Sequence, residues 1–126
     1  MDRLLLVEHD LLFRDGLALL LEWRTGLSSI RVGSLAEARR VLEETTQKPA
    51  CIIVDLDLPG GGGPELLEEL DGMPVLALIK DGGLGLGRQA QAFASGADEV
   101  LRTSGSAEEI AAAVERLLGP KAINVF

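Results

Sequence analysis

The sequence predicts a doubly wound α/β domain, on three observations. Short apolar runs alternate with stretches of helical periodicity through the whole chain, the pattern of a parallel sheet covered by helices on both faces. The central run, Cys51 to Val54 within CIIVDLDLPGGGG, is uninterrupted and mostly β-branched, as suits a strand buried on both sides. Two of the runs stop abruptly in polar groups, one at Glu8, His9 and Asp10, the other at Asp55 and Asp57. Both clusters then fall at the carboxyl edge of the sheet, where open α/β folds keep their sites.

In order, Leu4 to Val7 make the first strand, and Leu11 to Trp23 a leucine-rich helix that Asp10 would cap and Thr25 and Gly26 would end. Its leucines predict contacts on more than one side, and Trp23 reads as a packing residue. A short strand at Ile30 to Val32 precedes Ser34 and Glu37, a capping box, and a helix burying Leu35, Ala38, Val41 and Leu42. Lys48 and Pro49 break the chain before the central strand. Residues two apart on a strand face one way, which would set Asp55 and Asp57 side by side. Pro59 and the glycines from Gly60 to Gly63 make a flexible turn, and Pro64 opens a third helix carrying Leu66, Leu67 and Leu70, closed by Gly72. Val75 to Ile79 form the fourth strand. After a glycine-rich loop from Lys80 to Gly87 comes a short helix, Gln89 to Ala94, with Leu86, Ala90 and Phe93 at buried spacing and Gly96 as its stop. Val100 and Leu101 are a minimal fifth strand. Ser106 with Glu109 opens the last helix, striped by Ile110, Ala111, Val114, Leu117 and Leu118. Residues 1–120 read as one domain and 121–126 as a tail or the start of a linker.

With 126 residues the chain suits a single core, and with 47% hydrophobic and 25% charged residues it reads as an ordinary soluble globule. No apolar run approaches the roughly 20 residues that span a bilayer, and no signal peptide is visible, so no membrane is expected and the cytoplasm is the expected location. A net charge of −8 argues against direct nucleic-acid binding by this domain. The single cysteine, Cys51, excludes an internal disulfide, and its strand position predicts a buried, inert thiol.

The stretches LLLVEHDLLFRDGL, VDLDLPGGGG and GADEVLRTS resemble, in order and spacing, the receiver domains of bacterial response regulators. The likeness is greatest to the branch joined to a helix-turn-helix output domain. The resemblance covers nearly all of residues 3–119 and implies the flavodoxin-like five-stranded sheet in the order 2-1-3-4-5. It implies transfer of a phosphoryl group from a histidine kinase to an aspartate, for which Asp55, four residues before the proline, is the match. It also implies an acidic pocket of Glu8, His9, Asp10 and Asp57, and a magnesium ion on Glu8, Asp55 and Asp57.

Several helper positions depart from the pattern. His9 replaces the second acid, and a neutral imidazole is a poor ligand for a hard cation, so the magnesium site is expected to be weak. Ile79 stands where a hydroxyl is usual, Thr103 where a lysine is, and Val100 where an aromatic ring is; the chain has no tyrosine. Lys80 and Arg102, next to two of these positions, are expected to face away. With neither the lysine nor a full metal site to offset them, the acids would repel an incoming phosphate, each unit charge at about 4 Å costing a few kcal/mol at an intermediate dielectric.

The sequence therefore reads as an atypical receiver acting through protein–protein interaction with impaired phosphorylation, and not as an enzyme. The family's signalling face implies Gln89, Gln91 and Arg102 beside Leu86 and Ala94. The expected partners are a histidine kinase or other signalling protein, a DNA-binding output domain outside this chain, and a second copy in a homodimer. Two alternatives stand. One is a working phosphoacceptor at Asp55 that regulates a transcriptional output. The other is a nucleotide- or metal-binding flavodoxin-like enzyme, using Gly85, Gly87 and Ala90 as a GxGxxA loop or Glu8, His9, Asp10 and Asp55 as zinc ligands.

Overall fold

The computed structural model describes residues 2–80 and 85–119. Five parallel strands lie in the order β2-β1-β3-β4-β5. They are β1 (Arg3–Val7), β2 (Ser28–Val32), β3 (Cys51–Asp55), β4 (Val75–Ile79) and β5 (Glu99–Arg102), alternating with α1 (Leu11–Thr25), α2 (Leu35–Glu44), α3 (Gly63–Glu69), α4 (Gly85–Ser95) and α5 (Ala107–Leu118). This is the doubly wound order expected. The tail at 121–126 and residues 81–84 of the glycine-rich loop lie outside the described residues.

Alternation along the buried strands divides the core in two. Leu5, Val7, Ile52, Val54, Val75, Ala77 and Ile79 face a layer that includes Ala38 of α2, Leu66 and Leu67 of α3 and Ala92 of α4. Leu4, Leu6, Cys51, Ile53, Leu76 and Leu78 face α1 and α5 through Leu17, Ala18, Leu21, Ile110, Ala111 and Val114. Each fully buried leucine or isoleucine contributes about 1.5–3 kcal/mol. Cys51 is wholly buried, and burial, with the acids Asp98 and Glu99 beyond it, pushes its thiol up to about 12.

The caps follow the local chemistry. Asp10 accepts from the Leu12 and Phe13 N–H groups at 3.1 and 3.2 Å, and Gly26, in the left-handed region, ends α1. Ser34 and Ser106 accept from the N–H groups of Glu37 and Glu109, each at 3.1 Å. In the glycine turn, Gly60, Gly61 and Gly62 have positive φ. A Cβ on Gly63 would stand 2.9 Å from both the Cα and the carbonyl oxygen of Leu56, so this glycine serves close backbone packing.

Three expectations are corrected. First, α4 begins at Gly85, so Gly85, Gly87 and Ala90 are helical and do not form a phosphate-cradling loop. Ala92 is the residue buried from this helix, while Ala90 and Phe93 are exposed; the side chain of Leu86 lies outside the described residues. Second, α1 is buried on one side only: Leu11, Leu12, Leu19 and Trp23 are exposed. Third, β3 ends at Asp55, and Leu56 and Asp57 form a turn. No helix among the described residues is long and apolar enough to cross a membrane.

Candidate functional site at the carboxyl edge of the sheet

The ends of β1, β3 and β4 bring the charged residues together. Glu8 continues β1, its N–H donating to the Val32 carbonyl at 3.0 Å, and its side chain is almost wholly buried at 1% exposure. One carboxylate oxygen accepts from the Asp10 N–H at 2.9 Å. Asp55 is 0% exposed; its Oδ1 accepts from the Asp57 N–H at 2.8 Å, whereas Oδ2 is buried without a hydrogen-bond partner among the described residues. Burial raises the Glu8 carboxyl above the usual range. The Asp10 N–H draws it back, the neighbouring Asp55 raises it further, and Lys80 lowers it.

Asp57 leaves this pair. It rests on the end of β4 and the start of α4, where Oδ2 accepts from the Lys80 N–H at 2.7 Å and Oδ1 pairs with the Arg88 guanidinium. Partial burial would raise its carboxyl, but Arg88 and the Lys80 N–H outweigh that and hold it below the usual range. Arg88 also makes a long contact, 3.5 Å, to the Lys80 carbonyl.

Lys80 faces away from Ile79, as expected, and the side it faces is the one that carries Asp55. It lies two residues beyond Leu78 in the alternation and so shares the side of Ile53 and Asp55, and its charge lowers both Glu8 and Asp57. The acids therefore do not stand without cations: Lys80 and Arg88 oppose them. Arg88, which the sequence reading missed, comes from the first turn of α4, and no spacing in the sequence signals the contact.

The altered helper positions are placed as follows. Ile79 is in the core against the α2–α4 layer, and Val100 is partly buried against the same cluster. Thr103 folds back on β4, its N–H donating to the Ile79 carbonyl at 2.9 Å and its hydroxyl 3.5 Å from the same oxygen. His9 is exposed and lines an open cleft of about 760 Å³ with Asp10, Arg14, Ser34, Glu37 and Lys80. Gln91, Ala94 and Arg102 are exposed and Gln89 is half-buried. A second cleft of about 630 Å³ lies at the opposite, amino edge between α3 and α4, remote from the carboxylates.

Among the described residues, no group of three or more His, Cys, Asp or Glu is arranged to hold a metal ion. Glu8 and Asp55 adjoin, and the unpartnered Asp55 oxygen is a fit acceptor for a cation. Asp57, the third expected ligand, has both oxygens engaged, so the residues as placed fit an octahedral cation poorly.

No protein-family model matches the chain, and no curated protein does. Solved structures do match. A response regulator receiver domain protein from Clostridium thermocellum superposes with a TM-score of 0.82 at 23% identity, covering 96% of this chain and 97% of that one. A LuxR-family two-component response regulator from an Aurantimonas species gives 0.78 at 28% identity, over 98% of this chain and 95% of the other. A response regulator from Burkholderia pseudomallei, solved with a phosphorylated aspartic acid, a calcium ion and citrate, gives 0.78 at 26%, over 94% and 69%.

Proposed function

We propose, from the receiver fold of two-component response regulators that the chain carries, that it is a signalling domain with impaired phosphorylation acting through protein–protein contacts. The observation that carries this reading is the state of Asp55, which is 0% exposed at the end of β3. In-line attack on phosphorus needs the carboxylate oxygen within reach of the donor and positive charge around the transferred group. Here Arg88 is committed to Asp57, Thr103 to the Ile79 carbonyl, and Ile79 to the core. Lys80 lies near the acids and lowers the Glu8 carboxyl. Magnesium, if bound, would take Glu8 and Asp55 and supply neutralising charge, and its affinity is proposed to be weak.

Residues 1–120 are the signalling unit in this reading, located in the cytoplasm. Its partners are a histidine kinase or another signalling protein, and a DNA-binding output domain like that of LuxR-type regulators. Incubation with a small phosphodonor and magnesium, followed by intact mass measurement, tests it. The expected result is no added phosphoryl mass; an increase that vanishes in Asp55→Ala overturns it.

A working phosphoacceptor is the second reading. It is favoured by Oδ2 of Asp55, a buried oxygen without a hydrogen-bond partner among the described residues, where a cation or phosphorus would engage it. The same mass measurement decides between the two.

A further inference from the structure

The open cleft at the starts of α1 and α2 is lined by two acids that are already engaged and two cations that are barely so. Asp10 caps α1 through the Leu12 and Phe13 N–H groups, and Glu37 accepts from the Ser34 hydroxyl at 3.2 Å. Arg14, by contrast, has only 17% of its side chain exposed, yet its Nε is buried without a hydrogen-bond partner among the described residues. Its ion-pair partner there is Asp15, the next residue in the chain, at a loose 3.5 Å. A guanidinium drawn out of water is costly unless an anion faces it well. The hydrogen bonds of Lys80 among the described residues run through its backbone, to Asp57 and Arg88, and its ammonium reaches Glu8 and Asp57 only as a charge at longer range.

Gly33 makes room for Arg14 at the cleft wall. It is not one of the glycines of positive φ, so backbone geometry does not require it. A Cβ there would stand 3.1 Å from Arg14 Nη1. The missing side chain is thus what lets the guanidinium lie where it does.

We propose that this cleft binds a small monocarboxylate with an apolar body, the carboxylate held by Arg14 and Lys80 and the body resting on Leu11 and Leu12. A guanidinium fork matches a carboxylate through two parallel hydrogen bonds. Leu11 and Leu12 also line the cleft and are 61% and 88% exposed, so an apolar body would remove them from water. Charge selects a monoanion. Arg14 and Lys80 balance Asp10 and Glu37, and Glu8 lies just behind, accepting the Asp10 N–H at 2.9 Å. A phosphate dianion would bring a second negative charge against those acids with no further cation lining the cleft. The volume of about 760 Å³ is of the size that holds small molecules, and the lining does not include Asp55. Binding is therefore independent of whether Asp55 is modified. Only its consequence, a small acid serving as the input to a domain with impaired phosphorylation, rests on the function proposed above.

Titration of the whole chain with sodium octanoate, followed by two-dimensional amide NMR, tests the site in the absence of any phosphodonor. A ligand of this size in an open cleft should bind with a Kd of roughly 1 mM. The amides of Leu12, Arg14, Gly33 and Lys80 should shift together and saturate, while those of Gly72 and Gly96, in the amino-edge cleft, stay in place. Octanol, which lacks the charge, and acetate, which lacks the body, should each bind at least about threefold more weakly. Arg14→Lys keeps the charge but loses the fork, and Lys80→Gln loses the charge; each should weaken octanoate about threefold or more. Gly33→Ala should do the same with little change in Tm, because the new methyl group displaces only the flexible end of Arg14. Phe93→Ala, on α4, should change nothing, and circular dichroism confirms that each variant is folded. The absence of a saturable shift, shifts centred on the amino-edge cleft, equal affinity for octanol, or affinity unchanged in both Lys80→Gln and Gly33→Ala overturns the proposal. Tighter binding of inorganic phosphate than of octanoate overturns the choice of a monocarboxylate.

Discussion

Asp57 and Arg88 form an ion pair that ties the turn after β3 to the first turn of α4, and the Asp57 carboxylate also accepts the Lys80 N–H at the end of β4. A carboxylate expected to line a phosphate pocket is thereby occupied in holding the β4–α4 segment. The pair couples the carboxyl edge of the sheet to the helix bearing Phe93 and Gln91.

Arg88→Ala should cost no more than about 1 kcal/mol at neutral pH, because both side chains keep partial access to water. Its signature lies in acid. A carboxyl held below its ordinary value of 3.8 gives stability that is present above that value and lost as pH falls through the lower, folded one. Urea denaturation at stepped pH should show the difference between the parent and Arg88→Ala shrinking across that window. A constant difference would show that the pair contributes no linkage.

Glu8→Gln should stabilise the domain at neutral pH by about 1 kcal/mol, since the amide can still accept the Asp10 N–H and can donate to the unpartnered Asp55 oxygen. The sign follows from the raised Glu8 carboxyl. The folded chain retains a proton that the unfolded chain releases, so stability is full below the ordinary value of 4.5 and lost as pH rises through the raised one. Thermal melts of parent and variant should converge at low pH and separate above it.

Gly63→Ala should destabilise by about 1–3 kcal/mol, because the new methyl group would press on the Leu56 backbone, which cannot rotate away as a side chain does. Equilibrium unfolding measures the loss. An unchanged midpoint would mean that the glycine turn shifts freely.

Cys51 should resist a thiol reagent in the folded protein and react fully once unfolded, because its thiol is buried and its ionisation is pushed up to about 12. Rapid labelling under native conditions would reveal frequent opening of the central strand.

The double substitution His9→Asp with Thr103→Lys should increase labelling of Asp55 by a small phosphodonor over the parent. It returns an acid for the cation and a positive charge for the phosphoryl group. Mass spectrometry reads the gain, and no gain would show that the sealing of Asp55 by its surroundings is the larger barrier.

The sequence by itself determined the sheet and its layers, the ends of most helices and the position of Asp55. These depend on alternation, helical period and caps such as Asp10 and Ser34, all set by residues within a few positions of each other. Tertiary structure alone decided which charges meet and which apolar groups stay outside. Asp57 finds Arg88 across 31 positions, through a β4–α4 connection whose geometry no local pattern encodes. Lys80 joins the acids because the alternation of β4 continues past Ile79. Trp23 read as core because leucines surround it in sequence, yet one sheet face covers only one side of α1 and leaves Leu12, Leu19 and Trp23 in water. Composition records how much apolar surface a chain carries, whereas the packing of neighbouring elements determines which part of it is covered.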